Sequence, residues 1–116
     1  MIQLASVGLA LASLFAHHHD PPPLDPPPTQ TALASWYDDY YGSTASGVRY
    51  QYGYASLLFG SQWGHRVEFA YAGRTVVGQL DDHGPYVSGR LFDLSARLRG
   101  ALNCPDLCYL RWRSLP

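Results

Sequence analysis

Asp81-Asp82-His83-Gly84-Pro85-Tyr86, followed by Gly89-Arg90-Leu91-Phe92-Asp93-Leu94-Ser95, sets carboxylates at a strand-to-turn junction on a Gly-Pro corner. Gly84 admits a backbone approach that a Cβ would block, and Pro85 fixes φ near about −65°, so the acids project from a stiff scaffold. A carboxyl group held in this way has the makings of an acid that protonates the bridging oxygen of a glycosidic bond. Ordinary glycosidases need two such groups, one for the leaving oxygen and one for water or the anomeric carbon. Asp82 is the candidate acid/base, and a close Asp81 would raise its pKa by repulsion, although consecutive strand residues point to opposite faces.

Aromatic side chains cluster upstream, with Trp36, Tyr37, Tyr40, Tyr41, Tyr50, Tyr52 and Trp63 all preceding Asp82. Such rings stack on sugar faces while their polar tips reach hydroxyls, and they serve equally well as strand surface. Cys104 and Cys108 enclose Pro105-Asp106-Leu107, a loop that a disulfide closes in an oxidising compartment. A structural zinc site would want four ligands, and no further Cys or His pair lies nearby in sequence. No metal and no cofactor is expected. Glu68, the chain's sole glutamate, reads as a surface strand residue beside Arg66.

The elements that must position these groups are short. Val67, Phe69 and Tyr71 alternate with Arg66, Glu68 and Ala70, and Ala72-Gly73 turns the chain into Arg74–Leu80, which predicts a hairpin. Ser95 caps a helix over Ala96–Leu102 that puts Leu94, Leu98 and Leu102 on one face. Tyr109–Arg113 alternates again as a closing strand. Several short strands with one helix suit a closed barrel, which leaves no exposed edge.

The chain has 116 residues, room for one domain and a leader. With 47% hydrophobic residues, 15% charged residues and a formal net charge of −1, it offers no basic field for nucleic acid. Residues 1–16 read as an apolar signal peptide, too short for a permanent span of about 20 residues, so no stable membrane insertion is expected. Residues 17–31, with His17-His18-His19 and two triple prolines, read as a polyproline II spacer. At about 3.1 Å per residue it would hold the domain roughly 30–40 Å from its N-terminal end. The folded domain is expected over 32–116.

Ala34-Ser35-Trp36-Tyr37, Thr44-Ala45-Ser46-Gly47 and the Asp82-His83-Gly84-Pro85 corner together resemble the rare lipoprotein A family, over roughly Ala32 to Trp112. The resemblance implies a mainly β fold, a six-stranded double-psi β-barrel with one short helix. It also implies a secreted, cell-wall-associated lytic transglycosylase that cuts peptidoglycan between N-acetylmuramic acid and N-acetylglucosamine. On this resemblance Asp82 matches the motif Asp and is the acid/base; Trp36, Tyr37, Tyr54, His83, Tyr86 and Arg90 are the candidate substrate contacts. Asp93 matches a motif Asp and is expected to be structural, tying the loop to the helix entry through hydrogen bonds. The family's Glu is here Val48, its His is Tyr54 and its motif Arg is His83. Val48 cannot move a proton, and Tyr54, with an ordinary pKa of about 10, is a poor shuttle. Two further readings therefore stand beside the enzyme: a catalytically silent glycan-binding module, and a partner-binding barrel on a proline-rich stalk. The peptidoglycan strand is the expected partner, met by a monomer.

Overall fold

The computed structural model describes residues 28–38, 44–48 and 52–116. The expected leader, the spacer up to residue 27, and Tyr40, Tyr41 and Tyr50 lie outside the described residues. Six strands, β1 (Gln30–Tyr37), β2 (Gly53–Ala55), β3 (Arg66–Tyr71), β4 (Arg74–Asp82), β5 (Arg90–Ser95) and β6 (Cys108–Ser114), close into a barrel in the order β1-β5-β2-β4-β3-β6. One helix, α1 (Ala96–Leu102), joins β5 to β6. Among the described residues, the mainly β, six-stranded architecture with a single short helix is the one expected. Closure gives every strand two neighbours, so none presents a free edge to other chains.

Two of the pairings, β1 with β5 and β2 with β4, are parallel, so the chain crosses the barrel rather than meandering around it. The expected hairpin is β3 with β4, in register from Arg66↔Gln79 to Tyr71↔Arg74. Its two-residue turn has both Ala72 (φ 46°) and Gly73 (φ 84°) in the left-handed region, the geometry that matches the strands' own twist. Inward positions follow the period of two: Val67 and Phe69 on β3, Gly78 and Leu80 on β4, Leu110 and Trp112 on β6 are all buried. Glu68 pairs across the sheet with Arg113 at 3.0 Å, in register with it.

The core is aromatic. Phe92 stands edge-on to Phe69 (4.9 Å between centroids), Trp112 (5.2 Å) and Tyr54 (5.5 Å), the geometry that places a positive ring edge against a negative ring face. Helix α1 begins as expected, with Ser95 Oγ accepting from Leu98 N at 3.2 Å, and ends at Asn103 in the left-handed region. Leu98 and Leu102 are its buried residues. Leu98 packs so closely over Gly78 that a Cβ there would fall 2.9 Å from Leu98 Cδ2. Cys104 and Cys108 form the expected disulfide, with Cα atoms 5.5 Å apart. Beside it, Asp106 receives Trp36 Nε1 at 3.0 Å and Arg99 at 3.1 Å, and the Arg99 guanidinium lies 4.6 Å from the Trp36 ring centroid.

Candidate functional site

The Asp-His-Gly-Pro corner forms where β4 leaves the barrel. Asp82 is the last residue of β4, and the Gly84-Pro85 peptide that follows is cis. Asp82 Oδ1 accepts from His83 N at 2.9 Å and from Ala45 N at 3.1 Å, while Oδ2 accepts from the Tyr37 hydroxyl at 3.4 Å. The two carboxylate oxygens therefore accept from groups in three parts of the chain, two on Oδ1 and one on Oδ2. The segment so held is a compact turn: Gly47 N donates to Thr44 O at 2.9 Å, Thr44 Oγ1 donates to Val48 O at 2.7 Å, and Ser46 N donates to Asp81 O at 2.9 Å. Asp82 and the Asp81 carbonyl together dock this turn on the end of β4.

A second carboxyl stands two strands away. Ala55 of β2 is opposite Asp82 on one side and opposite Asp93 of β5 on the other, so a single small side chain separates the two acids. Burial raises the Asp93 pKa, the Ser35 hydroxyl that donates to it at 3.1 Å and the nearby Arg90 pull it down, and Asp82 pushes it up. Ser35 sits opposite Asp93 in the β1–β5 register, which makes the acid a brace between β1 and β5 as well as a neighbour of the helix start.

The third carboxyl, Asp81, behaves differently from expectation. Asp81 and Asp82 do repel, but the raised acid is Asp81, 5% exposed. Burial first and the neighbouring Asp82 second push it up to about 6. Its carboxyl lies over Gly53, where any Cβ would collide with Oδ2. The glycine is the sequence signal for this close approach, legible only once the strands are paired.

The structure gathers Tyr37, Asp82 and His83 at one corner, with the His83 ring 4.9 Å from that of Trp63, and leaves Tyr86 78% exposed beyond the turn. Trp36 is engaged at the disulfide loop through Asp106 and Arg99. Tyr54 is a core residue with 0% exposure, its hydroxyl donating to His65 O at 3.1 Å, and burial raises its pKa further above the ordinary phenol range. It has no surface to offer a substrate. Among the described residues no three His, Cys, Asp or Glu side chains gather to hold a metal ion, and no helix is long and apolar enough to cross a membrane.

No family model and no curated protein matches the chain. Among solved structures, the Streptomyces papain inhibitor superposes with a TM-score of 0.57 at 22% sequence identity, covering 79% of this chain and 100% of that one. At this identity the likeness is one of fold: a small β-barrel with which the six-stranded closure agrees.

Proposed function

We propose that this chain is an extracytoplasmic barrel of the double-psi type that binds peptidoglycan glycan strands without cutting them. The observation that carries this reading is the occupation of Asp82. An acid that protonates a glycosidic oxygen must turn an O–H toward it, whereas Asp82 is already the acceptor for the Ala45 and His83 amides and the Tyr37 hydroxyl, contacts that commit it to holding the 44–48 turn. Val48, in place of the family's assisting carboxylate, is exposed and apolar, and Tyr54, in place of the family's His, is sealed in the core. The corner is a loop clamp. Support for the family placement comes from the Asp82-His83-Gly84-Pro85 and Phe92-Asp93-Leu94-Ser95 residues and from the two parallel crossings of the barrel. Support for an oxidising compartment comes from the Cys104–Cys108 disulfide.

Co-sedimentation with purified peptidoglycan, followed by mass analysis of the supernatant, tests the reading. The expected result is saturable pelleting with no 1,6-anhydromuropeptide released. Release of that product, lost in Asp82→Asn, would restore the transglycosylase; absence of pelleting would remove glycan as the ligand.

A protein ligand is the second reading, favoured by one surface. Because β2 and β4 run parallel, the segments that leave them emerge at the same end of the barrel, where Leu57, Leu58, Trp63, Tyr86 and Val87 are exposed. Exposed apolar groups on neighbouring loops suit contact with another protein. The structural neighbour is named as an inhibitor of papain. Slowed papain hydrolysis of a peptide substrate in the presence of this chain would establish the second reading over the first.

A further inference from the structure

Next to the clamped turn, the alternation of β4 turns Val77, Gln79 and Asp81 away from the barrel interior, opposite to the inward Gly78 and Leu80. With Val48, Tyr52 and Arg66 they line a groove of about 300 Å³. That volume lies at the small end of small-molecule sites, enough for one compact unit and not for a chain. Asp81, 5% exposed, lines this groove, and its carboxyl receives no side-chain hydrogen bond among the described residues. A largely buried carboxyl that draws no donor from the protein gains from a ligand that brings one. Gly53 is what lets the group sit so deep, since a Cβ there would occupy the carboxyl's own place.

We propose that this groove binds a single amphoteric unit, a ligand carrying an ammonium and a carboxylate on one carbon, with the ammonium on Asp81 and the carboxylate on Arg66. Arg66 is opposite Gln79 in the hairpin register, so it stands one strand across and two residues along from Asp81, a diagonal of roughly 7–8 Å between backbones. The groove thus has an anionic end, a cationic end and the amide of Gln79 between them. Val48 and Val77 supply apolar wall, and the ring of Tyr52, with the Arg97 guanidinium 5.8 Å from its centroid, supplies a flat one. A neutral sugar leaves both charges unmet. A plain amine meets Asp81 and is repelled by Arg66. An amino-acid head group satisfies both. The inference is independent of whether the barrel also binds glycan.

The ionisable groups facing Asp81 are Asp82 from β4 itself, Tyr54 from β2 and Arg66 from β3. Ammonium binding requires the Asp81 carboxylate, so affinity falls as the pH drops below about 6.

Isothermal titration of the full chain tests this with lysine and free diaminopimelic acid as amphoteric probes, a stem tripeptide ending in diaminopimelate as the wall-borne source, and n-butylamine, acetate and N-acetylglucosamine as controls. The expected result is saturable binding of an amphoteric probe at pH 7.5, at least about tenfold weaker for n-butylamine and at least about tenfold weaker for Asp81→Asn. Binding of the tripeptide but not of the free amino acids assigns the source to the wall; the reverse assigns it to a free metabolite. Arg66→Gln, an exposed strand position, is expected to fold normally and to lose the preference for the amphoteric probe over n-butylamine. Equal binding by wild type and a folded Asp81→Asn, tightest binding by N-acetylglucosamine, or no saturable heat from any amphoteric probe overturns the proposal. Peptidoglycan pelleting by the same variants is read separately, so loss of this site and loss of glycan binding are distinguished.

Discussion

Asp82 holds the backbone amide of Ala45 at 3.1 Å across 37 residues of sequence, and in doing so converts a carboxylate at a strand end into the fastening of a loop. The same oxygen takes the amide of His83, and the other takes the Tyr37 hydroxyl. Asp82→Asn keeps an acceptor toward the two amides, and its new N–H can donate to the Tyr37 oxygen. Stability is expected to change by less than about 1 kcal/mol in Asn and to fall by about 1–3 kcal/mol in Ala. Urea unfolding of the two variants checks this, and a transglycosylase would instead lose roughly 10²–10⁴-fold in activity with Asn while remaining folded.

Asp81 makes stability depend on pH in a direction opposite to that of most carboxylates. Its folded-state value is raised from 3.8 to about 6, so between those limits the native chain binds more protons than the unfolded one. The stabilising contribution is complete below about pH 4 and is lost as the pH rises through about 6, on the order of 2–3 kcal/mol. Asp93, also raised, acts in the same sense. Thermal melting across pH 4–7 is expected to show this slope in wild type and a shallower one in Asp81→Asn; parallel profiles would refute it.

Gly53→Ala is expected to be far more damaging than an exposed Gly→Ala change, because the new methyl occupies the position of Asp81 Oδ2. Either the carboxyl leaves its groove or β2 separates from β4. A loss of about 1–3 kcal/mol follows from overpacking of this kind. Gly47→Ala is not a suitable control, since its φ of 85° imposes its own strain; Gly100, in α1 with open space around it, is, and Ala there is expected to stabilise.

Tyr54→Phe removes the hydroxyl that donates to His65 O, an acceptor that also receives Leu80 N at 2.8 Å, so the loss is expected to be about 1 kcal/mol. Tyr54→Ala opens the aromatic core and costs about 3–5 kcal/mol. Folded Tyr54→Phe retains full binding to any ligand; a specific loss of binding in that variant would return Tyr54 to the site.

Replacing both Cys104 and Cys108 by Ser opens a loop of sequence separation 4. For so short a loop the chain-entropy account gives about 2 kcal/mol of lost stability. Denaturant midpoints of the oxidised protein and the double variant measure it.

The hairpin, the Ser95-capped helix and the closing strand were all legible in the sequence, because each depends on local rules: alternation at a period of two, a two-residue turn, a side chain capping an amide three residues on. The barrel's closure was legible from several short strands with one helix, and the corner carrying Asp82 from residues that the chain keeps contiguous. What each acid does was decided only by the tertiary structure. Asp81 and Asp82 are adjacent in sequence and alike in chemistry, yet one faces Gly53 in a desolvated groove and the other faces the amides of a docked turn. Tyr54, expected at a surface, is enclosed by Phe59, Phe69 and Phe92. The partners that set these roles come from β2, β3 and the 44–48 turn, brought together by parallel crossings whose register no local pattern encodes. Burial and hydrogen bonding are properties of that assembled surface, so the sequence by itself specifies which residues can ionise, and the fold decides which of them are free to meet a ligand.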